Sequence, residues 1–167
     1  MRRCDTSAAT FEDHDMFQRI GELLVRYGEL SNEELSTILA EQRRDYRPFG
    51  RIAADMFDIS ESAIWNAWSE QYAEYCPRIQ LDDQLQEPAV LNELTSDEAW
   101  EFYLLPLRCQ DGDLILVTSE DHLPKALQFL DRRLSKAVLV WLAGNPDQLY
   151  AALRKAYPVD KYERAVG

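Results

Sequence analysis

The sequence predicts an α+β protein. Four short helices form a bundle, followed by a small three-stranded sheet with flanking helices in the order helix, strand, strand, helix, strand, helix. Three observations carry this reading. A 24-residue pattern occurs twice at an offset of 29 residues, as RIGELLVRYGELSNEELSTILAEQ (Arg19 to Gln42) and PFGRIAADMFDISESAIWNAWSEQ (Pro48 to Gln71). Each copy spaces its apolar residues as amphipathic helices do, and a fixed-period repeat marks one supersecondary unit used twice. Downstream, two short apolar runs flank Asp111-Gly112, and a third run, AVLVWL, stands between two helical patterns.

Taken in order, residues 1–14 read as a disordered lead-in. Met16 to Tyr27 carries apolar residues at helical spacing, and Gly28 supplies the left-handed turn that ends a helix. Leu30 is a packed connector. Ser31 and Glu34 form a capping box for the next helix, whose inner stripe is Leu35, Ile38 and Leu39. The second copy follows the same plan. Phe49 to Met56 is the short helix, Ile59 the connector and Ser60 the cap, with Ile64, Ala67 and Trp68 as the stripe and Trp65 read as core. Phe57 stands where the first copy has its stop glycine, so this turn must close differently. The helical subdomain is placed at 15–75, a linker at 76–94, a small α+β subdomain at 95–158 and a tail at 159–167.

In the second half, Thr95 with Glu98 caps a helix running to about Tyr103. Leu104 to Arg108 and Leu114 to Thr118 are strands. Asp-Gly between them is a hairpin signal, because both central residues of a type I′ turn need positive φ. Leu123 to Leu134 is an amphipathic helix and Ala137 to Leu142 a buried strand. Asn145 caps the last helix, with Pro146 first and Gln148 third.

Composition bounds the function. The net charge of −12 disfavours non-specific binding to nucleic acid or anionic membranes. No apolar run approaches the ~18 residues of a membrane span, and the N-terminus has no apolar stretch of a signal peptide. Three widely spaced cysteines, without CxxC, argue against a disulfide framework and for a reducing compartment. Two histidines give metal ligation little support. One local exception to the acidity is QRRDYRPFGR, Gln42 to Arg51, with four arginines and one aspartate at the junction of the copies; a solvated inter-helix loop accounts for it equally well. No Ser/His/Asp or Cys/His order and no GxxxxGK[ST] phosphate loop occurs, so no enzyme is expected. His122 beside Glu120 and Asp121 reads as a helix N-terminal region.

The aligned pairs are Ile20 with Phe49, Gly21 with Gly50, Leu23 with Ile52, Leu30 with Ile59, Ser31 with Ser60, Leu35 with Ile64, Leu39 with Trp68, Glu41 with Glu70 and Gln42 with Gln71. With Arg19, Leu24 and Gly28 they resemble the tandem motif of the MshEN family, also called the type II secretion ATPase N-terminal domain. EFYLLPLRCQDGDLILVTS is similar to that family's proline-containing hairpin and DQLYAALRKAYP to its closing helix, so the resemblance spans residues 15–158. It implies binding of cyclic di-GMP, one half of the ligand per copy, and no other cofactor. It also implies control of an effector: a secretion or pilus-assembly ATPase, or an exopolysaccharide glycosyltransferase in a parent protein. The resemblance further implies a cytoplasmic setting, with an inner-membrane protein as a further partner.

The residue chemistry is compatible. Glycine lets backbone N–H groups approach a ligand, helix starts favour phosphate, aliphatic side chains offer a dry surface to a base, arginine pairs with phosphate or stacks, and glutamine both donates and accepts. The expected ligand-binding residues are Arg19, Ile20, Gly21, Leu35, Leu39 and Gln42 in the first copy. In the second they are Arg47, Pro48, Phe49, Gly50, Ile64, Trp68 and Gln71. Plain helix packing is the competing account of the aliphatic residues, and close helix crossing that of the glycines. Pro48 replaces the leading arginine of the second copy, and Arg47 or Arg51 stands nearest to take its place. The alternative function is protein docking through a degenerate nucleotide site.

Overall fold

The structure of the protein is a computed structural model, which describes residues 12–133 and 137–158. The chain divides into two compact units, Met1–Gln71 and Tyr72–Gly167. Mixed α and β structure is found, as expected.

The first unit is built from α1 (Glu12–Arg26), α2 (Asn32–Arg44), α3 (Phe49–Phe57) and α4 (Glu61–Tyr75), the last running past the unit boundary. Glu12, Asp13 and His14 begin α1, so three residues of the expected lead-in are helical; residues 1–11 lie outside the described residues. Ile20, Leu23 and Leu24 follow the i, i+3, i+4 stripe and are buried. Their equivalents Phe49, Ile52 and Ala53 are buried with them, in one cluster that also takes Leu30, Leu35, Ile38, Ile59, Ala63 and Ala67. Fully burying a side chain of Leu, Ile or Phe size is worth roughly 1.5–3 kcal/mol, so this shared cluster is what holds short helices that would be marginal alone.

The punctuation is as the residues dictate in the first copy and improvised in the second. Gly28 takes φ 76° after α1. In the second copy Phe57 stays helical and Asp58 adopts the left-handed conformation at φ 55°, its N–H bonded to the Ala54 carbonyl at 3.1 Å. A short polar side chain tolerates that conformation better than an apolar one. Ser31 and Glu34 form both bonds of the capping box, at 3.2 and 2.7 Å. Ser60 accepts from the Ala63 N–H at 3.2 Å, without the reciprocal glutamate.

The second unit holds β1 (Arg78–Ile79), α5 (Ser96–Glu101), β2 (Leu105–Gln110), β3 (Asp113–Thr118), α6 (Leu123–Arg133), β4 (Val138–Ala143) and α7 (Pro146–Ala156). The β2–β3 hairpin turns on Asp111 (φ 54°) and Gly112 (φ 95°), the two positive values a type I′ turn needs. β3 and β4 pair in parallel, which requires a crossover, and α6 supplies it. Thr95 and Glu98 make the second capping box, at 2.9 and 3.2 Å.

Two expectations are corrected here. The sheet has four strands, in the order β1-β4-β3-β2, and not three. The stretch 76–94, read as a linker or irregular strand, holds β1 and two 3-10 turns, with Leu81, Val90 and Leu94 buried. The physical reason is the outer edge of β4. Its Leu142 N–H bonds the Pro77 carbonyl at 2.9 Å and its Gly144 N–H bonds the Ile79 carbonyl at 2.8 Å. Farther along that edge the strand partner stops, and the Tyr72 hydroxyl takes over. It donates to the Val140 carbonyl at 3.0 Å and accepts from the Val140 N–H at 3.1 Å. Gln148 is likewise recruited away from helix capping. Its Oε1 accepts from the Leu81 N–H at 3.2 Å and its Nε2 donates to Asp82 at 2.7 Å, while Asn145 alone caps α7. Leu134 and residues 159–167 lie outside the described residues. No helix among the described residues is long and apolar enough to cross a membrane.

Candidate functional site

The repeat is reproduced at the level of side-chain contacts. A Cβ built on Gly21 would overlap the Leu35 side chain, and one on Gly50 would lie 3.1 Å from Ile64 Cγ2. Leu35 and Ile64 are equivalent residues, as are the two glycines. Each copy therefore uses its glycine to let its second helix press an aliphatic side chain onto the backbone of its first. Leu39 and Trp68, the next pair, are both half-buried against the shared core.

The closing glutamines form a second matched pair. Gln42 is half-buried and Gln71 is 7% exposed, yet neither Oε1 has a hydrogen-bond partner among the described residues. Leaving a buried acceptor unmet costs about 1–3 kcal/mol, so two such atoms at equivalent positions are not a neutral feature. Gln42 keeps its other arm occupied, with Nε2 3.4 Å from the Arg47 carbonyl.

The remaining expected residues separate into three groups. Ile20 and Phe49 (1% exposed) are core, and present little surface to a ligand. Pro48 starts α3 with φ −55° and is exposed, and Arg19 is half-buried on α1. Arg47 is enclosed by carboxylates: Nη1 is 3.2 Å from Asp55, Nε 3.1 Å from Asp45 and Nη2 3.6 Å from Glu41. Arg51 leans on Asp55 at 3.9 Å, Arg44 on Glu41 at 3.4 Å, and Arg43 donates to the Leu39 carbonyl at 3.1 Å. The arginine-rich junction is thus a network of local pairs that ties the inter-repeat loop, and its charge is largely neutralised in place.

Trp65 is not core. It is half-buried, its ring meets that of Trp68 edge to face at 5.4 Å and 83°, and its Nε1 is 3.4 Å from Glu61. Its spacing of three from Trp68 on one helix was the available signal. Asp45 and Asp55, which fix Arg47, carried no signal of that role in the sequence, because the pairing arises only when α2 and α3 fold against each other. His122 sits in a 3-10 turn ahead of α6, with Nδ1 2.7 Å from the Ser119 hydroxyl and its ring stacked on Tyr103 at 4.4 Å. Both of those contacts are structural. Cys76 and Cys109 are free thiols, and no group of three or more metal-ligating side chains occurs among the described residues.

No family model matches the chain, and no curated protein does. Among solved structures it is similar to MshE, solved with cdg, at 21% identity and TM-score 0.45, over 83% of this chain and 99% of that one. It is also similar to the N-terminal domain of XpsE, at 12% identity and TM-score 0.40, over 85% of this chain and 96% of that one.

Proposed function

We propose that the helical unit binds cyclic di-GMP and that occupancy controls an attached or partner effector, a secretion or pilus-assembly ATPase or an exopolysaccharide glycosyltransferase, in the cytoplasm. On this reading the chain senses and does not catalyse. The observation that carries it is the matched pair of buried, unpartnered acceptors, Gln42 Oε1 and Gln71 Oε1, at the closing position of each copy. A guanine edge carries N–H donors beside acceptors, and a glutamine side chain is its complement. A ligand with two guanines offers this edge twice, as the repeat offers the glutamine twice. The half-buried Leu39, Ile64 and Trp68 supply apolar surface for the bases.

The ligand brings two negative charges to a chain of net charge −12, so long-range steering opposes binding and affinity comes from local contacts. Arg19, the leading residue of the first copy, is the expected cationic contact to phosphate. Titration calorimetry with cyclic di-GMP, with GTP and cyclic di-AMP as controls, tests the proposal. Saturable, guanine-selective binding at one ligand per chain, weakened strongly by Arg19→Ala, is the expected result. Binding left intact by Gly50→Leu removes the second copy from the site. No heat from a folded sample overturns the sensor reading and leaves protein docking as the function.

A further inference from the structure

The closing glutamine of the first copy is oriented by the loop that follows it. Gln42 Nε2 lies 3.4 Å from the Arg47 carbonyl. A carbonyl can only accept, so the amide must turn its NH₂ toward it. The opposite orientation would set two acceptors against each other. At this length the bond adds little strength, and its effect is to choose between the two orientations of the amide. Oε1, buried and without a hydrogen-bond partner among the described residues, is then the arm left to a ligand.

The Arg47 carbonyl is itself held. Its own N–H donates to the Asp45 carbonyl at 2.6 Å. Pro48 follows, and a residue before proline is restricted to extended backbone. The guanidinium reaches Glu41 on α2 at 3.6 Å, Asp45 at the end of α2 at 3.1 Å and Asp55 on α3 at 3.2 Å. A single exposed pair of this kind is weak, but three on one guanidinium tie one side chain to two helices. Cys76 stands at the equivalent place in the second copy, so no guanidinium is available there.

We propose that Arg47 is a positioning residue that sets base selectivity in the first half of the site, by holding the Gln42 amide with its acceptor toward the base. The inference rests on the cyclic di-GMP reading of the helical unit. A held acceptor meets the N–H donors of a guanine edge. Adenine carries a lone pair at N1 where guanine carries N–H, so there two acceptors would oppose each other. An amide free to turn over accommodates either base, and a held one does not. Holding it therefore acts on the difference between ligands. Arg47 has this use without touching the ligand.

The test compares cyclic di-GMP with cyclic di-AMP, whose sugars and phosphates are the same, on the whole chain. Calorimetry reads the tighter ligand and amide-shift titration the weaker. The wild type should prefer cyclic di-GMP. Asp45→Asn/Asp55→Asn leaves Arg47 in place and removes two of its three anchors. The preference is expected to shrink about tenfold or more in this variant, and again in Arg47→Ala. Both aspartates are exposed, and an unchanged melt verifies that the double variant folds. A preference left unchanged in the double variant overturns the proposal. If both ligands also bind it more tightly, Arg47 reaches phosphate, a contact common to the two. Equal affinity of the wild type for both ligands overturns the selectivity role and leaves a nucleotide site standing, whereas binding of neither removes the sensor reading together with the proposal.

Discussion

At the scale of single residues, the two glycines of the repeat are equivalent in position and unequal in packing. Around Gly21 the whole branch of Leu35 is in contact, with Cγ and Cδ2 at 3.3 Å from a built Cβ and Cδ1 overlapping it, so the buried leucine would have to both turn and shift. Overpacking a buried site costs typically about 1–3 kcal/mol, against a gain of about 1 kcal/mol for replacing a helical glycine with alanine. Gly21→Ala is therefore expected to lower the thermal midpoint, whereas Gly50→Ala, meeting Ile64 Cγ2 at 3.1 Å, is expected to leave it nearly unchanged. Matched melts of the two variants decide this. The glutamines give the complementary case. Gln71→Met removes the buried unmet Oε1 while keeping the shape, so stability should hold or rise by about 1 kcal/mol, since an unsatisfied acceptor is the costly state. Cyclic di-GMP affinity should fall at least tenfold in the same variant. A loss of both, measured by denaturant melt and calorimetry, would assign Gln71 to packing.

At the scale of elements, the two capping boxes make part of the stability depend on pH. Hydrogen bonds from the backbone and side chain of Ser31 hold the Glu34 carboxyl below its ordinary value of 4.5, and the Thr95 backbone N–H, helped by Arg133, does the same for Glu98. A carboxylate whose folded value is depressed contributes stability above the unfolded value, and that contribution is lost as pH falls through the folded one. The thermal midpoint should thus decline as pH drops below 4.5. Glu34→Gln with Glu98→Gln keeps the box geometry and removes the titration, so that part of the acid limb should flatten. The hydroxyl of Tyr72 is the other element-scale device. It substitutes for the strand that β4 lacks beside Val140, and Tyr72→Phe leaves that N–H and carbonyl without it. A loss of about 1–3 kcal/mol is expected, with faster amide exchange at Val140. Exchange unchanged at Val140 would mean water replaces the hydroxyl at no cost.

At the scale of the whole molecule, a ligand that binds only the folded helical unit stabilises it by mass action, about 2.7 kcal/mol at a hundred times Kd. Cyclic di-GMP is therefore expected to raise the melting transition of residues 12–71. Following tryptophans of both units, Trp65 and Trp68 against Trp100 and Trp141, separates two outcomes. Transitions that rise together mean the units are thermodynamically coupled, as control of an effector requires, and a rise confined to the first unit means the signal is not passed through the second. Burial pushes the Tyr157 hydroxyl up to about 12, and it donates to the Leu91 carbonyl at 2.7 Å. A group whose folded value is raised loses its stabilising contribution as pH climbs from its ordinary value of 10 toward about 12, so the second unit should weaken over that range.

How much of this was legible in the chain follows from range. Elements whose cause is local were readable: the apolar stripe of α2, the Ser31–Glu34 and Thr95–Glu98 boxes, and the Asp111-Gly112 hairpin each need only residues a few positions apart. The repeat was readable because duplication preserves spacing, so the equivalence of Gly21 with Gly50 and of Leu35 with Ile64 followed from one alignment, while the contact of each glycine with its aliphatic partner did not. Tertiary structure alone decided the rest. β1 has two residues and no periodicity, and exists because β4 had an unpaired edge. Arg47 is spent on Glu41, Asp45 and Asp55 because α2 and α3 fold together, and a cation in a sequence does not show which acids will reach it. Ile20 and Phe49 went to the core because burial is set by what packs on a residue, and Gln42 and Gln71 keep unmet oxygens because no donor among the described residues reaches them.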